Sequence, residues 1–236
     1  MYENNPMALD EEELLSYRSE YMRKVFYWMF GGVFITFAVA YLAASGNGFY
    51  NILEAFPSFP IVLMVAQLLA VVVLSAGIRR LSLSWARFLF LAYSAMTGLT
   101  FSVFFIVYEA SSLVLVFALT SVFFLAMAVY GSITKTDLST LRPVLLGGLI
   151  CLCVFGILSL FIDLSPFEKI ACILGSALFM LLTAFDIQRV TSYFDIYSSD
   201  PYMLEKAAVY GALTLYLDFI NIFIKFLRLF GKSRRD

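Results

Sequence analysis

The chain of 236 residues is 62% hydrophobic, 17% aromatic and only 14% charged, and its formal net charge is −1. Soluble domains are about 45–50% apolar and 25% charged, so a soluble fold of this length could not cover so much apolar side chain. No basic stripe suits nucleic acid, which excludes a nucleic-acid-binding protein. The lack of histidine excludes Ser–His and Cys–His nucleophilic dyads and haem bound by histidine.

The first 24 residues, MYENNPMALDEEELLSYRSEYMRK, are acidic and polar and precede the first apolar run. A secretory signal peptide would instead place a short apolar segment directly after a basic start. We therefore predict that residues 1–24 form a cytoplasmic tail.

Seven apolar runs follow, each near the ~20 residues that a helix needs to cross a ~30 Å hydrocarbon core. Backbone groups in lipid must be satisfied within each segment, and the runs lack the alternation of barrel strands. The sequence thus predicts an all-α membrane protein, with a seven-helix transmembrane domain over 25–231 and a basic tail over 232–236. The first six runs are clear and the seventh is ambiguous: 25–45, 60–78, 88–108, 112–131, 143–162, 168–187 and 207–230.

The distribution of lysine and arginine predicts a cytoplasmic N-terminus, because short cytoplasmic loops are enriched in these residues. With the N-terminus inside, the external loops before the last span hold only Lys169. Lys232, Arg234 and Arg235 would lie outside if the last segment crosses fully, so it either crosses against the bias or re-enters; we expect a full crossing. The cytoplasmic segments would hold Arg18, Arg23, Lys24, Arg79, Arg80, Arg87, Lys135, Arg142, Arg189 and Lys206.

The three cysteines, Cys151, Cys153 and Cys172, all fall within apolar runs, where small thiols commonly pack. A C-x-C pair without histidine and with one further cysteine is a weak zinc signal. We interpret all three as packing residues, and we expect no bound cofactor.

Apart from Glu168, at the junction where the sixth run begins, the predicted spans hold only two acids, Asp186 and Asp218. A charged side chain at membrane depth costs at least ~2.5–3.5 kcal/mol, so such residues usually face a bundle interior or a water-filled cavity. Each alone could simply form a hydrogen bond between helices. If the sixth and seventh spans are neighbours, the two carboxyl groups meet and titrate as one unit. A hard cation such as calcium is the alternative partner of such oxygen ligands.

Thr214, Asp218, Asn221 and Lys225 follow one another at steps of four, three and four, which places them on one face of the last helix. We predict that this polar stripe points into the bundle. It would either bind neighbouring helices or line an aqueous path. Lys225 could also neutralise Asp218 and make the site structural.

Four segments of the chain have a distinctive sequence: MTGLTFS at 96–102, YGSITKTDLS at 130–139, LTAFDIQRV at 182–190 and LYLDFINIFIKFLRLFG at 215–231. They resemble the Bax inhibitor-1 (TMBIM) family in its bacterial branch, and the last of them is the most specific. The resemblance covers nearly the whole chain.

This resemblance implies a seven-helix fold with a central last helix and a pH-sensitive calcium leak across the bacterial inner membrane. It implies that Asp186 and Asp218 form a hydrogen-bonded dyad that can meet calcium, and that Arg79 or Arg80 latches onto it in the closed state. Either arginine alone is equally well explained as a cytoplasmic anchor. Many relatives hold an acid where this chain has Gln67, and Lys225 also departs from the family pattern.

Two other classes of function remain open at this stage. Intramembrane aspartyl proteases also use two transmembrane aspartates, but their Gly-x-Gly-Asp pattern is replaced here by LYLDF. We therefore do not expect an enzyme. The other class is a non-transporting regulator of stress response or protein quality control, which would bind other membrane proteins.

Overall fold

The computed structural model describes residues 11–46, 54–76, 80–159 and 161–234. Seven α-helices and one short 3-10 helix, Leu138–Leu141, account for most of this part of the chain. The α-helices are α1 (Glu11–Ser45), α2 (Phe59–Ala76), α3 (Leu83–Val107), α4 (Ala110–Ile133), α5 (Arg142–Leu158), α6 (Ser165–Tyr197) and α7 (Pro201–Phe230).

Short polar side chains and prolines define where several helices begin. Ser82 accepts a hydrogen bond from the backbone N–H of Trp85 and caps α3. Asp200 accepts from the N–H groups of Tyr202 and Met203, and Pro201 occupies the first turn of α7, where no N–H is required. These caps separate helices that are otherwise continuous apolar runs.

The all-helical membrane prediction is confirmed within the described residues. Six helical segments are long and apolar enough to cross a membrane, and the second predicted span, 60–78, overlaps the shorter apolar helix α2. Residues 77 and 78 of that span lie outside the described part of the chain. Several helices extend beyond the predicted runs: α1 begins at Glu11, inside the segment predicted as a tail, and α6 continues to Tyr197. A helix need not end where its side chains become polar, so hydropathy marks the apolar core and not the helix ends.

Helix α7 is surrounded by α1, α3, α4 and α6, and most of its length is buried. Its apolar side chains pack in a network of aromatic rings. The ring of Phe223 lies 5.2 Å from that of Phe37 on α1, and the ring of Phe219 lies 5.6 Å from that of Phe124 on α4. Edge-to-face aromatic contacts of this kind add directional stabilisation to simple burial.

Helices α2 and α5 lie at the periphery, where α2 packs on α3 and α5 on α6. This position corrects the interpretation of the cysteines. Cys172 on α6 is buried as predicted, but Cys151 and Cys153 on α5 are exposed. An apolar sequence does not distinguish a side chain that packs on protein from one that faces lipid.

At one end of the bundle, ion pairs connect the start of α1 to α3, α6 and α7. Arg18 pairs with Asp195 at the end of α6. Glu205 on α7 pairs with Lys24 at 2.9 Å and with Arg87 at 3.0 Å. The N-terminal part of α1 and the α6–α7 connection therefore lie at the same end.

The C-terminal segment lies at the opposite end, against the α3–α4 connection. The backbone N–H of Arg234 donates to the carbonyl of Val107 at 2.9 Å, and that of Glu109 donates to the carbonyl of Lys232 at 3.0 Å. Helix α7 is unbroken over 30 residues, about 45 Å, which favours the predicted full crossing over a re-entrant segment. The side chain of Lys232 also forms an ion pair with Glu109, so the positive charge of Lys232 is neutralised at this end of the bundle.

We predict that a cysteine at Ser58, next to the start of α2, reacts with an impermeant thiol reagent added to intact cells. The background lacks Cys151, Cys153 and Cys172, and the matched control is a cysteine at Ser199, at the other end of the bundle. Ser199→Cys should react only after permeabilisation. The reverse pattern would show that the N-terminus is external.

We also predict that Gly131→Ala destabilises the protein. A Cβ at Gly131 would lie 2.5 Å from the carbonyl oxygen of Ala184 on α6, so α4 and α6 must separate. Overpacking costs about 1–3 kcal/mol. The control Gly147→Ala meets nothing within 4 Å and should gain about 1 kcal/mol of helix propensity. Thermal unfolding in detergent measures both; equal melting temperatures would contradict the close α4–α6 contact.

Candidate functional site

The structure brings Asp186 on α6 and Asp218 on α7 together inside the bundle. Their residues are only 6% and 5% exposed, and their carboxyl groups lie close enough to interact. An ionised carboxylate only accepts hydrogen bonds, so two carboxyl groups in this position can bond to each other only when one carries a proton.

Close packing of α6 and α7 sets this geometry. The two helices are consecutive, antiparallel neighbours joined by the short connection 198–200. Gly211 of α7 lies so near α6 that an added Cβ would be 2.5 Å from the side chain of Val190. On the other side of α6, Gly131 of α4 touches the backbone of Ala184, two residues before Asp186. Both aspartates are thus held by helix contacts that admit little displacement.

Asp218 has a buried oxygen without a hydrogen-bond partner among the described residues. Oδ2 of Asp218 is buried and accepts no hydrogen bond within the described part of the chain. Buried polar atoms in folded proteins are nearly always satisfied, so an unpartnered acceptor marks a place where a proton, a water molecule or a cation is stabilised.

No third acid, cysteine or histidine joins the pair to form a metal cluster among the residues that the structure describes. Calcium takes six to eight oxygen ligands, so any others would have to come from backbone carbonyls, hydroxyls or water.

Arg189 is the cation that the structure places beside the pair. Its Nη1 lies 3.9 Å from Oδ1 of Asp186, one turn away on α6, and its guanidinium stacks on Tyr193 at 6.0 Å. The side chain remains 55% exposed, so Arg189 connects a buried acid to the aqueous end of the bundle. The sequence DIQR places Asp186 and Arg189 three residues apart, and residues at this spacing on a helix are neighbours.

Of the two arginines predicted as a latch, Arg80 is exposed in the turn before α3, and Arg79 lies outside the described residues. Gln67 donates hydrogen bonds to Thr97 and Thr100 at 3.4 and 3.3 Å, which connects α2 to α3. The latch thus stays a prediction.

The polar stripe does not form the most buried face of α7. Asp218 is buried, whereas Thr214, Asn221 and Lys225 are half-buried, and the fully buried positions are apolar ones such as Tyr216. Thr214 and Asn221 donate to carbonyls of their own helix. Helix α7 is covered by other helices on most sides, so more than one of its faces is buried. Its apolar face is buried more deeply than the polar stripe, although the polarity of the stripe suggested that the stripe would point into the bundle.

Lys225 packs against α6 and does not reach Asp218 directly. A Cβ at Gly175 of α6 would lie 3.0 Å from Cε of Lys225. Seven residues separate Lys225 from Asp218, about 10 Å along the helix axis. This separation disfavours a direct charge neutralisation of Asp218 by Lys225.

A bundle of apolar helices around a last helix with a buried carboxyl pair defines a polytopic helical membrane protein. The family described as "Inhibitor of apoptosis-promoting Bax1" matches residues 18–235. The chain therefore belongs to the Bax inhibitor-1 family, as its motifs indicated.

Bacterial relatives match along nearly their whole length. The "Inner membrane protein YbhL" of Escherichia coli K12 is 40% identical over 215 residues, which cover 91% of this chain and 92% of the relative. A protein of Deinococcus radiodurans is 36% identical over 228 residues, covering 97% and 96%. A third, from Borreliella burgdorferi, is 32% identical over 230 residues, covering 98% and 99%.

Proposed function

We propose that the protein is a pH-sensitive leak pathway for calcium or another cation in the bacterial inner membrane, with its N-terminus in the cytoplasm. The observation that supports the proposal is the buried pair of Asp186 and Asp218, in which Oδ2 of Asp218 has no hydrogen-bond partner among the described residues. The inner-membrane location follows the description of the Escherichia coli relative.

The chemistry of the pair couples protons to helix packing. With one proton, the two carboxyl groups attract each other and hold α6 against α7. Without it, two negative charges face each other in a desolvated site, where like charges repel strongly. The repulsion is relieved either by separation of the helices or by entry of a cation. Two carboxylates match the charge of a calcium ion, and so few protein ligands favour its rapid release.

An arginine of the α2–α3 turn is proposed to close this pathway. Helix α2 packs mainly on α3, so a shift of α2 would leave the buried face of α7 packed. A guanidinium from Arg79 or Arg80 that reached the pair would favour its ionised form while blocking the path. Arg189 already supplies one positive charge to the same carboxylate from the aqueous side.

The family description favours a second candidate function. It names an inhibitor that acts on another protein, which fits a non-transporting regulator that binds other membrane proteins. The exposed faces of α2 and α5 would then contact protein as well as lipid. Ion flux separates the two candidates, since a regulator of this kind requires none.

We predict that Asp218→Asn flattens the pH response of cation flux in liposomes loaded with a calcium indicator. Asparagine keeps the shape of the side chain but cannot ionise, so the ratio of fluxes at high and low pH should fall towards unity. The control is Asp195→Asn, which removes a carboxylate at the exposed end of α6. A mutant with wild-type flux and pH response would remove Asp218 from the pathway. Absence of flux in the wild type would favour the regulator.

We further predict that one of Arg79→Ala and Arg80→Ala raises the basal leak and flattens its pH dependence. The other should behave as a surface substitution. Combined with Asp186→Asn, the active substitution should be non-additive, as expected for groups in one network. If both arginine variants keep the wild-type leak, the turn does not gate the pair.

A further inference from the structure

A polar cleft opens beside the carboxyl pair, at the end of the bundle that carries the start of α1. Its volume is about 410 Å³, within the ~300–1,000 Å³ range of small-molecule sites. One wall is the connection between α4 and α5 and the other is the last half of α6. The polar side chains that line it are Asp137, Ser139, Arg142, Gln188, Arg189 and Ser192.

Hydrogen bonds from Gln188 hold the two walls together. Its amide oxygen accepts from the backbone N–H of Leu138 at 3.1 Å, and its amide nitrogen donates to the carbonyl of Thr136 at 2.8 Å. Asp137 accepts from the backbone N–H of Ser139 at 2.9 Å and starts the short 3-10 helix that leads to Arg142. The backbones that carry Arg142 and Arg189 are therefore fixed on opposite sides of the cleft.

The two arginines have unused hydrogen-bond donors. Within the described chain, Arg142 forms no ion pair, and the 3.9 Å contact of Arg189 with Asp186 is longer than a direct hydrogen bond. The one carboxylate in the lining belongs to Asp137. Hydrogen bonds from Ser139, first of all from its backbone N–H, lower the pKa of Asp137, so this group is ionised and the cleft carries a net positive charge.

We propose that this cleft binds the phosphate head group of an anionic lipid. Guanidinium groups match phosphate oxygens with paired hydrogen bonds, and the hydroxyls of Ser139 and Ser192 lie in the same lining. The neighbouring helix faces are apolar and open: Ile133 is 71% exposed and Val144 is 70% exposed. These faces contact acyl chains in a bilayer, so a lipid reaches the cleft with its chains already in place. Basic clefts between transmembrane helices commonly bind anionic lipids.

Arg189 connects the lipid to the carboxyl pair. A phosphate bound in the cleft competes with Asp186 for the same guanidinium. Anionic lipid then reduces the positive charge that Arg189 directs at the pair, and so changes the leak. This regulatory consequence rests on the proposed function, whereas the binding site does not.

Binding is tested with the purified full-length protein by native mass spectrometry during titration with phosphatidylglycerol. Arg142→Gln and Arg189→Gln should each weaken the apparent affinity about five-fold, the effect of one basic residue near an anionic surface. Arg142→Lys keeps the charge but loses the paired geometry, so its affinity should lie between those of wild type and Arg142→Gln. Thermal unfolding of each variant confirms that it is folded.

The matched control is Lys135→Gln, which removes one positive charge from the same connection but outside the cleft lining. Its affinity for phosphatidylglycerol should stay close to that of wild type. An equal loss in Lys135→Gln and Arg142→Gln would show general surface attraction and overturn the site. Equal binding of phosphatidylcholine would overturn the role of charge, and displacement of the lipid by inorganic phosphate would assign the cleft to a soluble anion instead.

Flux measurements in liposomes with and without phosphatidylglycerol separate this proposal from the proposed function. The lipid should change the leak of wild type and of Lys135→Gln, but not that of Arg189→Gln. Lipid binding that depends on Arg142 in a protein without any flux would support the cleft and overturn the leak. A pH-dependent leak with identical lipid binding in all variants would support the leak and overturn the cleft.

Discussion

The placement of two acids, Asp186 and Asp218, in the buried interior is the constraint on which the arrangement of this bundle depends. An acid inside an apolar bundle must keep a proton or meet a positive charge, because an unpaired charge there is expensive. The protein places the two acids against each other, which requires α6 and α7 to pack closely. Gly211 and Gly131 permit this by removing the side chains that would separate α6 from its two neighbours. Under the proposed function, a change in the protonation of the pair would therefore act directly on this helix packing.

The two ends of the bundle are held by different means. At the end that carries the start of α1, ion pairs of Arg18, Lys24 and Arg87 connect four helices through side chains alone. These contacts are exposed or half-exposed, where individual ion pairs contribute about 0–1 kcal/mol and can exchange partners. At the other end, backbone hydrogen bonds fix the C-terminal segment to the α3–α4 connection. The contacts at the end of the bundle that carries the basic cleft therefore change more readily with the charges around them than those at the other end.

Much of the fold could be predicted from the sequence because a membrane span is recognised by a run of about 20 apolar residues. The same runs identified Asp186 and Asp218, since acids are rare inside apolar segments. The orientation of the polar stripe could not be obtained in this way. Periodicity places Thr214, Asn221 and Lys225 on one face, but it does not say which face is buried most deeply when a helix has neighbours nearly all round. The exposure of Cys151 and Cys153 was missed for a related reason, because lipid and protein interior select the same residues.

The role of Arg189 illustrates a different limit. The sequence places it one turn from Asp186, yet its basic side chain equally suits a cytoplasmic anchor. The second arginine of the cleft, Arg142, lies opposite Arg189 only because hydrogen bonds from Gln188 hold the α4–α5 connection against α6. Arg142 and Arg189 are 47 positions apart in the sequence, yet both line the same basic cleft.

The attachment of residues 231–234 to the α3–α4 connection has a consequence for biosynthesis. The carbonyl of Val107, in the last turn of α3, is satisfied by the backbone N–H of Arg234, and the carbonyl of Tyr108 accepts from its guanidinium. Arg234, which supplies both donors, is translated after all seven helices. During membrane insertion, the carbonyls of Val107 and Tyr108 therefore have water as their hydrogen-bond partner until α7 has crossed, and the contact with the C-terminal segment forms last.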